Sequence, residues 1–263
     1  GHERDFTTRP WEFGDPFDLD IEQTVRNAVA RGGAGVPVAL TPEDFAIERT
    51  ESEVRSSTVL MLALSLSMPM RGNFLPAKKM AMALHSLMSS QFPRDFLGVV
   101  TFSEVAREIR PERLPEVSWD YVYGTNMQHG FALARAILAR QSGNRQIIMV
   151  TDGEPTSHLE PDGEVFFSYP PHPLTIAYAV RELDNARRLG AQTTFFRLGE
   201  DPGLARFIDS MASRVEGRVV APELDDLGAA VVGSYLGDRS GFGRSSMGGY
   251  SDWFGGRGFW VGG

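Results

Sequence analysis

No cysteine occurs among the 263 residues, which excludes disulfides and thiolate metal sites alike. The absence fits a reducing compartment, and a cytoplasmic setting is expected. No apolar run approaches the roughly 20 residues that a helix needs to cross a bilayer, so no membrane span is expected. Positive charge is in deficit: 26 Lys and Arg face 34 Asp and Glu, a net charge of -8. That balance argues against a general nucleic-acid role. There is no phosphate-binding loop of the Walker type, and Gly33-Ala34-Gly35 is not followed by the glycine pattern of a dinucleotide site. His85, His129, His158 and His172 show neither metal-ligand nor triad spacing. Gly1-His2 reads as an artificial scar, so the missing leader peptide says little.

What is present is organised around Val59 to Met70, VLMLALSLSMPM. The run Val59 to Leu64 predicts a strand buried on both faces of a parallel sheet. It breaks into hydroxyls at Ser65 and Ser67, and Pro69 closes the turn. In open α/β sheets, ligands collect where strands end. Two hydroxyls at i and i+2 just past such a strand can face one ligand, and their oxygens suit a hard cation such as Mg²⁺.

Residues 1–56 read as an N-terminal extension packing on the main domain. Asp20 is placed to cap a helix with the stripe Ile21, Val25 and Val29, ending at Gly32-Gly33. A short strand is expected over Val36 to Leu40, a turn at Thr41 to Asp44, and an edge strand over Phe45 to Thr50. Residues 57–238 then alternate. Strands are expected at 59–64, 96–102, 146–151, 192–198 and 218–221. Helices are expected at 75–90, from Asn126 to about Arg140, and at 174–189, 204–214 and 224–236. Val105 to Arg110 reads as an antiparallel neighbour of 96–102, and a Pro-rich loop leads to Pro173. This pattern predicts an α/β fold with a doubly wound, mostly parallel sheet, helices on both faces and one antiparallel edge strand. Residues 239–263 are dominated by glycine interleaved with Phe242, Tyr250, Trp253, Phe254, Phe259 and Trp260, and read as a flexible tail.

Three motifs on successive strand ends resemble those of von Willebrand factor A (VWA) domains. The first motif of that family is an apolar strand followed by Asp-x-Ser-x-Ser. Here it reads Ala63-Leu64-Ser65-Leu66-Ser67, with Ala63 in the place of the Asp. The second is a Thr on a loop before a helix, matched by Gly124-Thr125. The third is an Asp closing an apolar strand, matched by Thr151-Asp152-Gly153-Glu154. The resemblance implies a VWA fold carrying a metal-ion-dependent adhesion site, with Ser65, Ser67, Thr125 and Asp152 as metal ligands. The segments RPWEFGDPFDLD, YGTNMQHGF and IIMVTDGEPT resemble, more narrowly, bacterial VWA proteins associated with MoxR-type AAA+ ATPases.

Mg²⁺ takes six oxygens in near-octahedral geometry, and a partner's carboxylate can fill an open position. Mn²⁺ or Ca²⁺ are the alternatives. Ala63 removes one of two expected carboxylates, so cation binding should be weakened or absent; Glu154 is a candidate compensation. A set missing a single ligand reads as an engineered or recent change, with a natural metal-poor variant as the other possibility. Met68, Pro69, Met70, Tyr123, Asn126 and Glu154 flank the site as expected partner contacts. The resulting expectation is a non-enzymatic module that binds an acidic residue of a protein partner. The resemblance adds a MoxR-type ATPase as companion, with no membrane or nucleic acid involved. Two alternatives stand beside it: a metal-assisted hydrolase working through Asp152, and nucleic-acid binding by the tail with Arg244 and Arg257. Asp252, between Tyr250 and Trp253-Phe254, is a candidate tail ligand for the site.

Overall fold

The computed structural model describes residues 8–12, 19–33, 35, 37–48 and 55–240. The chain divides into two units between Glu53 and Val54. The tail beyond residue 240, with Asp252, Arg244 and Arg257, lies outside the described residues.

In the N-terminal unit, β1 (Thr8–Pro10) pairs antiparallel with β2 (Ala46–Glu48), beside α1 (Ile21–Gly32). Asp20 caps α1 by accepting from the Gln23 N–H at 3.0 Å. The buried face of α1 is Thr24 and Ala28, not the stripe of Ile21, Val25 and Val29; Ile21 is 75% exposed. A polar lock sets this rotation. The Thr24 hydroxyl accepts from Ala46 N at 3.0 Å and donates to Ala46 O, tying the helix to the backbone of β2. The strand expected at 36–40 is absent among the described residues 37–40, where Arg31 donates to the Ala39 carbonyl instead. Asp44, in the 3₁₀ turn Pro42–Asp44, is buried beneath the same arginine.

The second unit is built on a six-stranded sheet of β3 (Ser56–Ala63), β4 (Phe96–Phe102), β5 (Ala106–Ile109), β6 (Asn144–Thr151), β9 (Ala191–Arg197) and β10 (Arg218–Val220). The short hairpin β7 (Ser157–Leu159) and β8 (Val165–Phe167) lies between β6 and β9 in sequence. The spatial order is β10-β9-β6-β3-β4-β5, and only β5 runs antiparallel to its neighbour. All eight residues of β3 are buried, as a central strand covered on both faces requires. Between them α2 (Ser67–Met70), α3 (Phe74–Gln91), α4 (Met127–Ala139), α5 (Pro173–Arg188), α6 (Pro202–Val215) and α7 (Leu227–Ser240) cover the sheet. In that cover α3 packs on α7, and α4 on α5. The core is dense in large side chains, with Leu60, Met61, Leu62, Phe102, Phe131, Phe195 and Phe196 fully buried. Each contributes roughly 1.5–3 kcal/mol by leaving water. Pro69 lies inside α2 rather than closing a turn. The Pro-rich loop contains the hairpin β7–β8; strands of three residues are too short to leave a period in sequence.

The parallel strands all end on one edge of the sheet. From β3 the chain passes to β4 on one side and later to β6 on the other, so the crevice between the ends of β3 and β6 is the topological switch point. At the opposite edge, the Asp95 carboxylate accepts from Ser56 N at 3.1 Å and from the Tyr235 hydroxyl, joining the start of β3 to α7.

Candidate functional site

β3 delivers Ser65 and Ser67 to the switch point, and β6 delivers Asp152. The hydroxyls of Ser65 and Ser67 lie 3.0 Å apart, and the Ser67 hydroxyl donates to Asp152 Oδ1 at 2.9 Å. Thr125 arrives from the loop before α4. Its carbonyl accepts from the N–H groups of Thr156 and Ser157, and its N–H donates to the Thr156 hydroxyl. The glycine before it has no room to be anything else: a Cβ on Gly124 would sit 2.3 Å from Glu104 Cγ. Ser67, Thr125 and Asp152 line one cavity of about 380 Å³, and Ser65 lies behind Ser67. Ala63 is buried at the end of β3, paired with Phe102, and is not part of the cavity wall.

Two residues that the motifs did not single out hold Asp152 from the other side. Arg71 donates to the Asp152 carbonyl at 2.6 Å, and its guanidinium lies 3.9 Å from Oδ2. Asn73 Nδ2 donates to Oδ2 at 3.3 Å. Asn73 occupies the position before α3 where an Asn side chain ordinarily caps the helix, yet it makes no cap hydrogen bond. Its amide is turned to the carboxylate instead, giving up about 1 kcal/mol of helix capping. Gly72 between them has φ +74, a left-handed turn that lets the chain fold back over Asp152. The available signal in the sequence was a basic residue and a capping residue, Arg71 and Asn73, within a few positions of a strand end.

Burial pushes the Asp152 carboxyl above the usual carboxylate range, and Ser67, Arg71 and Asn73 act against that rise. On the far wall of the cavity, burial and the neighbouring Asp201 also raise Glu154, against the pull of Arg206. Asp201 caps α6 by accepting from Leu204 N at 2.8 Å. The remaining wall is aromatic and aliphatic, with Tyr123, Phe167, Tyr169 and Leu204.

Of the expected partner contacts, Met70 and Tyr123 are exposed and touch, with the Tyr123 hydroxyl 3.8 Å from Met70 Sδ. Pro69 and Glu154 are half-buried. Met68 and Asn126 cannot serve as contacts. Met68 is fully buried in the core, and Asn126 is fully buried with its side chain engaged on both ends. Its oxygen caps α4 by accepting from His129 N, and its amide donates to the Glu104 carbonyl.

These residues do not fit a tightly held divalent cation. Asp152 is the one carboxylate among the four motif residues, and its two oxygens already accept from Ser67 and Asn73. A guanidinium stands 3.9 Å from it, and a divalent cation placed there would meet that charge at a cost on the order of several kcal/mol. Among the described residues, no group of three or more His, Cys, Asp and Glu side chains converges on a point.

A family model described as "Rv0959-like protein, vWA domain" matches residues 56–236, and another, "Rv0959-like protein, third domain", matches residues 3–50. The chain is 48% identical over 236 residues to the protein Rv0959 of Mycobacterium tuberculosis H37Rv. That match covers 87% of this chain and 35% of the relative, so the chain spans about a third of the length of the curated relatives it matches. Among solved structures, a von Willebrand factor type A protein from Catenulispora acidiphila superposes with a TM-score of 0.54 at 18% identity, covering 74% of this chain and 44% of that one. The open conformation of the pilus adhesin SpaC from Lactobacillus rhamnosus GG superposes with a TM-score of 0.54 at 13% identity, covering 72% of this chain and 30% of that one.

Proposed function

Because this chain belongs to the Rv0959-like family of VWA-domain proteins, we propose that it is a non-enzymatic protein-interaction module binding an acidic residue of a partner at the β3–β6 crevice. One observation carries the reading. A polar centre made by Ser65, Ser67, Thr125, Arg71 and Asp152 sits at the switch point, inside a rim of exposed anchors, with Tyr123 58%, Met70 69% and Tyr169 80% exposed. Tyrosine and arginine, both present here, are among the residue types most enriched in binding hot spots. The adhesin role printed for SpaC, a protein of the same fold, supports an interaction role. The flanking segments that resemble MoxR-associated VWA proteins support a MoxR-type ATPase as companion, with this chain as adaptor in a cytoplasmic setting. Affinity for Mg²⁺, Mn²⁺ or Ca²⁺ is weak, because Ala63 supplies no carboxylate.

The test is capture of a purified MoxR-type ATPase from the same source on the immobilised chain. Tyr123→Ala combined with Tyr169→Ala should reduce capture at least about tenfold. Arg188→Ala, on a different surface beside Asp184 and Arg214, should leave it unchanged. Capture that is indifferent to the rim pair, or no capture at all, would remove the adaptor reading.

A further inference from the structure

We infer that Arg71 takes the place of the metal in this site: the guanidinium is the cation that receives the partner's carboxylate, and recognition needs no divalent ion. The inference rests on the interaction reading above and names its ligand chemistry.

The geometry is that of an adhesion site in which the positive charge is covalently attached. Arg71 leaves the C-terminus of α2 and reaches back over the end of β6, anchored by one hydrogen bond from Nη1 to the Asp152 carbonyl at 2.6 Å. It is fixed there without being used up. A guanidinium carries five N–H donors in a flat fork suited to two-point recognition of a carboxylate. Its side chain remains 51% exposed and faces the cavity. Asp152 holds it by charge at 3.9 Å but makes no two-point pair with it. Thr125 lies on the same wall with a hydroxyl able to donate to an incoming carboxylate, whereas the Ser67 hydroxyl is spent on Asp152.

Ala63 belongs to the same arrangement. With Asp152 the one carboxylate of the motif set, a single guanidinium balances the centre, whereas a divalent ion beside Arg71 would not be neutralised. Ala63, which brings no carboxylate, and Arg71, which brings a fixed positive charge, suit the same arrangement: an arginine-bridged contact in place of a metal-bridged one. The opposite wall adds selectivity. Glu154 and Asp201 line it, so a second acid close to the first would be repelled. The fitting ligand is a solitary Asp or Glu among apolar and aromatic residues, the latter packing on Tyr123, Phe167 and Tyr169.

Two measurements on the full chain test this. In the first, Mn²⁺ alone is titrated by calorimetry into the chain, Ala63→Asp, Arg71→Gln and the double variant. The double variant should bind Mn²⁺ at least about tenfold more tightly than Ala63→Asp alone, because only then is the competing charge removed. Equal affinities of Ala63→Asp and the double variant would overturn the inference. In the second, an immobilised panel of peptides is probed in EDTA and in Mg²⁺. Each carries one Asp or Glu, or its Asn or Gln counterpart, among Gly, Ser, Tyr, Trp and Phe; residues 248–256 of this chain form one member. Acid-dependent capture should persist in EDTA, be lost in Arg71→Gln, partly return in Arg71→Lys, and fall when a second acid is added. Melting curves confirm that the variants are folded. Acid-dependent capture that requires Mg²⁺ overturns the inference and leaves the interaction reading standing. No acid-dependent capture under either condition removes both.

Discussion

Asp44 and Asp152 are the same side chain at nearly the same burial, 2% and 1% exposed, and their surroundings drive them in opposite directions. Asp44 accepts from Arg31 Nε at 2.8 Å and Nη2 at 2.7 Å, and from the N–H and hydroxyl of Thr41 at 2.8 and 3.0 Å. Four donors converge on the carboxylate, and the fork of Arg31 holds its carboxyl far below the usual range. Asp152 has one hydroxyl, one long amide contact and an arginine that contacts its carbonyl rather than its carboxylate as a fork. Burial wins there, and its carboxyl is pushed up. The first carboxylate closes a structure. The second has fewer partners and stands in the wall of a cavity.

Substitution of Asp44 should break the contrast most severely. Asp44→Asn leaves the Arg31 fork without its carboxylate, and amide protection in α1 and β2 should fall by roughly tenfold or more in hydrogen exchange. The pH dependence follows from the sign of the shift. The folded carboxyl is lowered, so its stabilisation is present above the ordinary carboxylate range and is lost as pH falls through that range toward the folded value. Protection of α1 should therefore decline in acid in the parent chain and stay flat in Asp44→Asn. Equal profiles would mean that the ion pair does not hold this unit together.

Asp152→Asn should have a smaller effect of opposite sign. The folded carboxyl is raised, so its contribution is present below the ordinary carboxylate range and lost as pH rises through the raised value. Removing the charge should raise the melting temperature at pH 7 by a few degrees, with the gain vanishing near pH 3. A lower melting temperature at pH 7 would show that the contacts from Ser67 and Asn73 outweigh the cost of burial.

The smallest effect is expected at Asn73. An Asn before a helix usually costs about 1 kcal/mol when changed to Ala, but this one does not cap α3. Asn73→Ala should change stability by less than about 0.5 kcal/mol while moving the Asp152 titration further upward, as read by carboxyl-carbon NMR. A loss near the full capping value would mean that the side chain serves the helix after all.

The sheet was legible because buried parallel strands write themselves as apolar runs. Phe96–Phe102 begins and ends where its composition changes, while β3 starts earlier, with the polar but buried Ser56, Ser57 and Thr58, and stops at Ala63, one residue short of the expected Leu64. The rotation of α1 was not legible, because a threonine bonded to a strand backbone outweighed the apolar stripe. Met68 and Asn126 failed as partner contacts for a related reason. Sequence places a residue near a loop, but only packing decides whether it turns outward. Ser65, Ser67, Thr125 and Asp152 could be named from local motifs. Arg71 and Asn73 could not, since their partner lies about 80 residues away and nothing local marks the direction in which a loop arginine reaches.

Asp95 has one more consequence. Its carboxylate binds the first residue of β3 and a tyrosine of α7, so the first strand and the last helix of the second unit meet at one pole of the sheet, with the crevice at the other. The start of β3 and the C-terminal half of α7 are thereby clasped together, and the crevice is left free of that clasp.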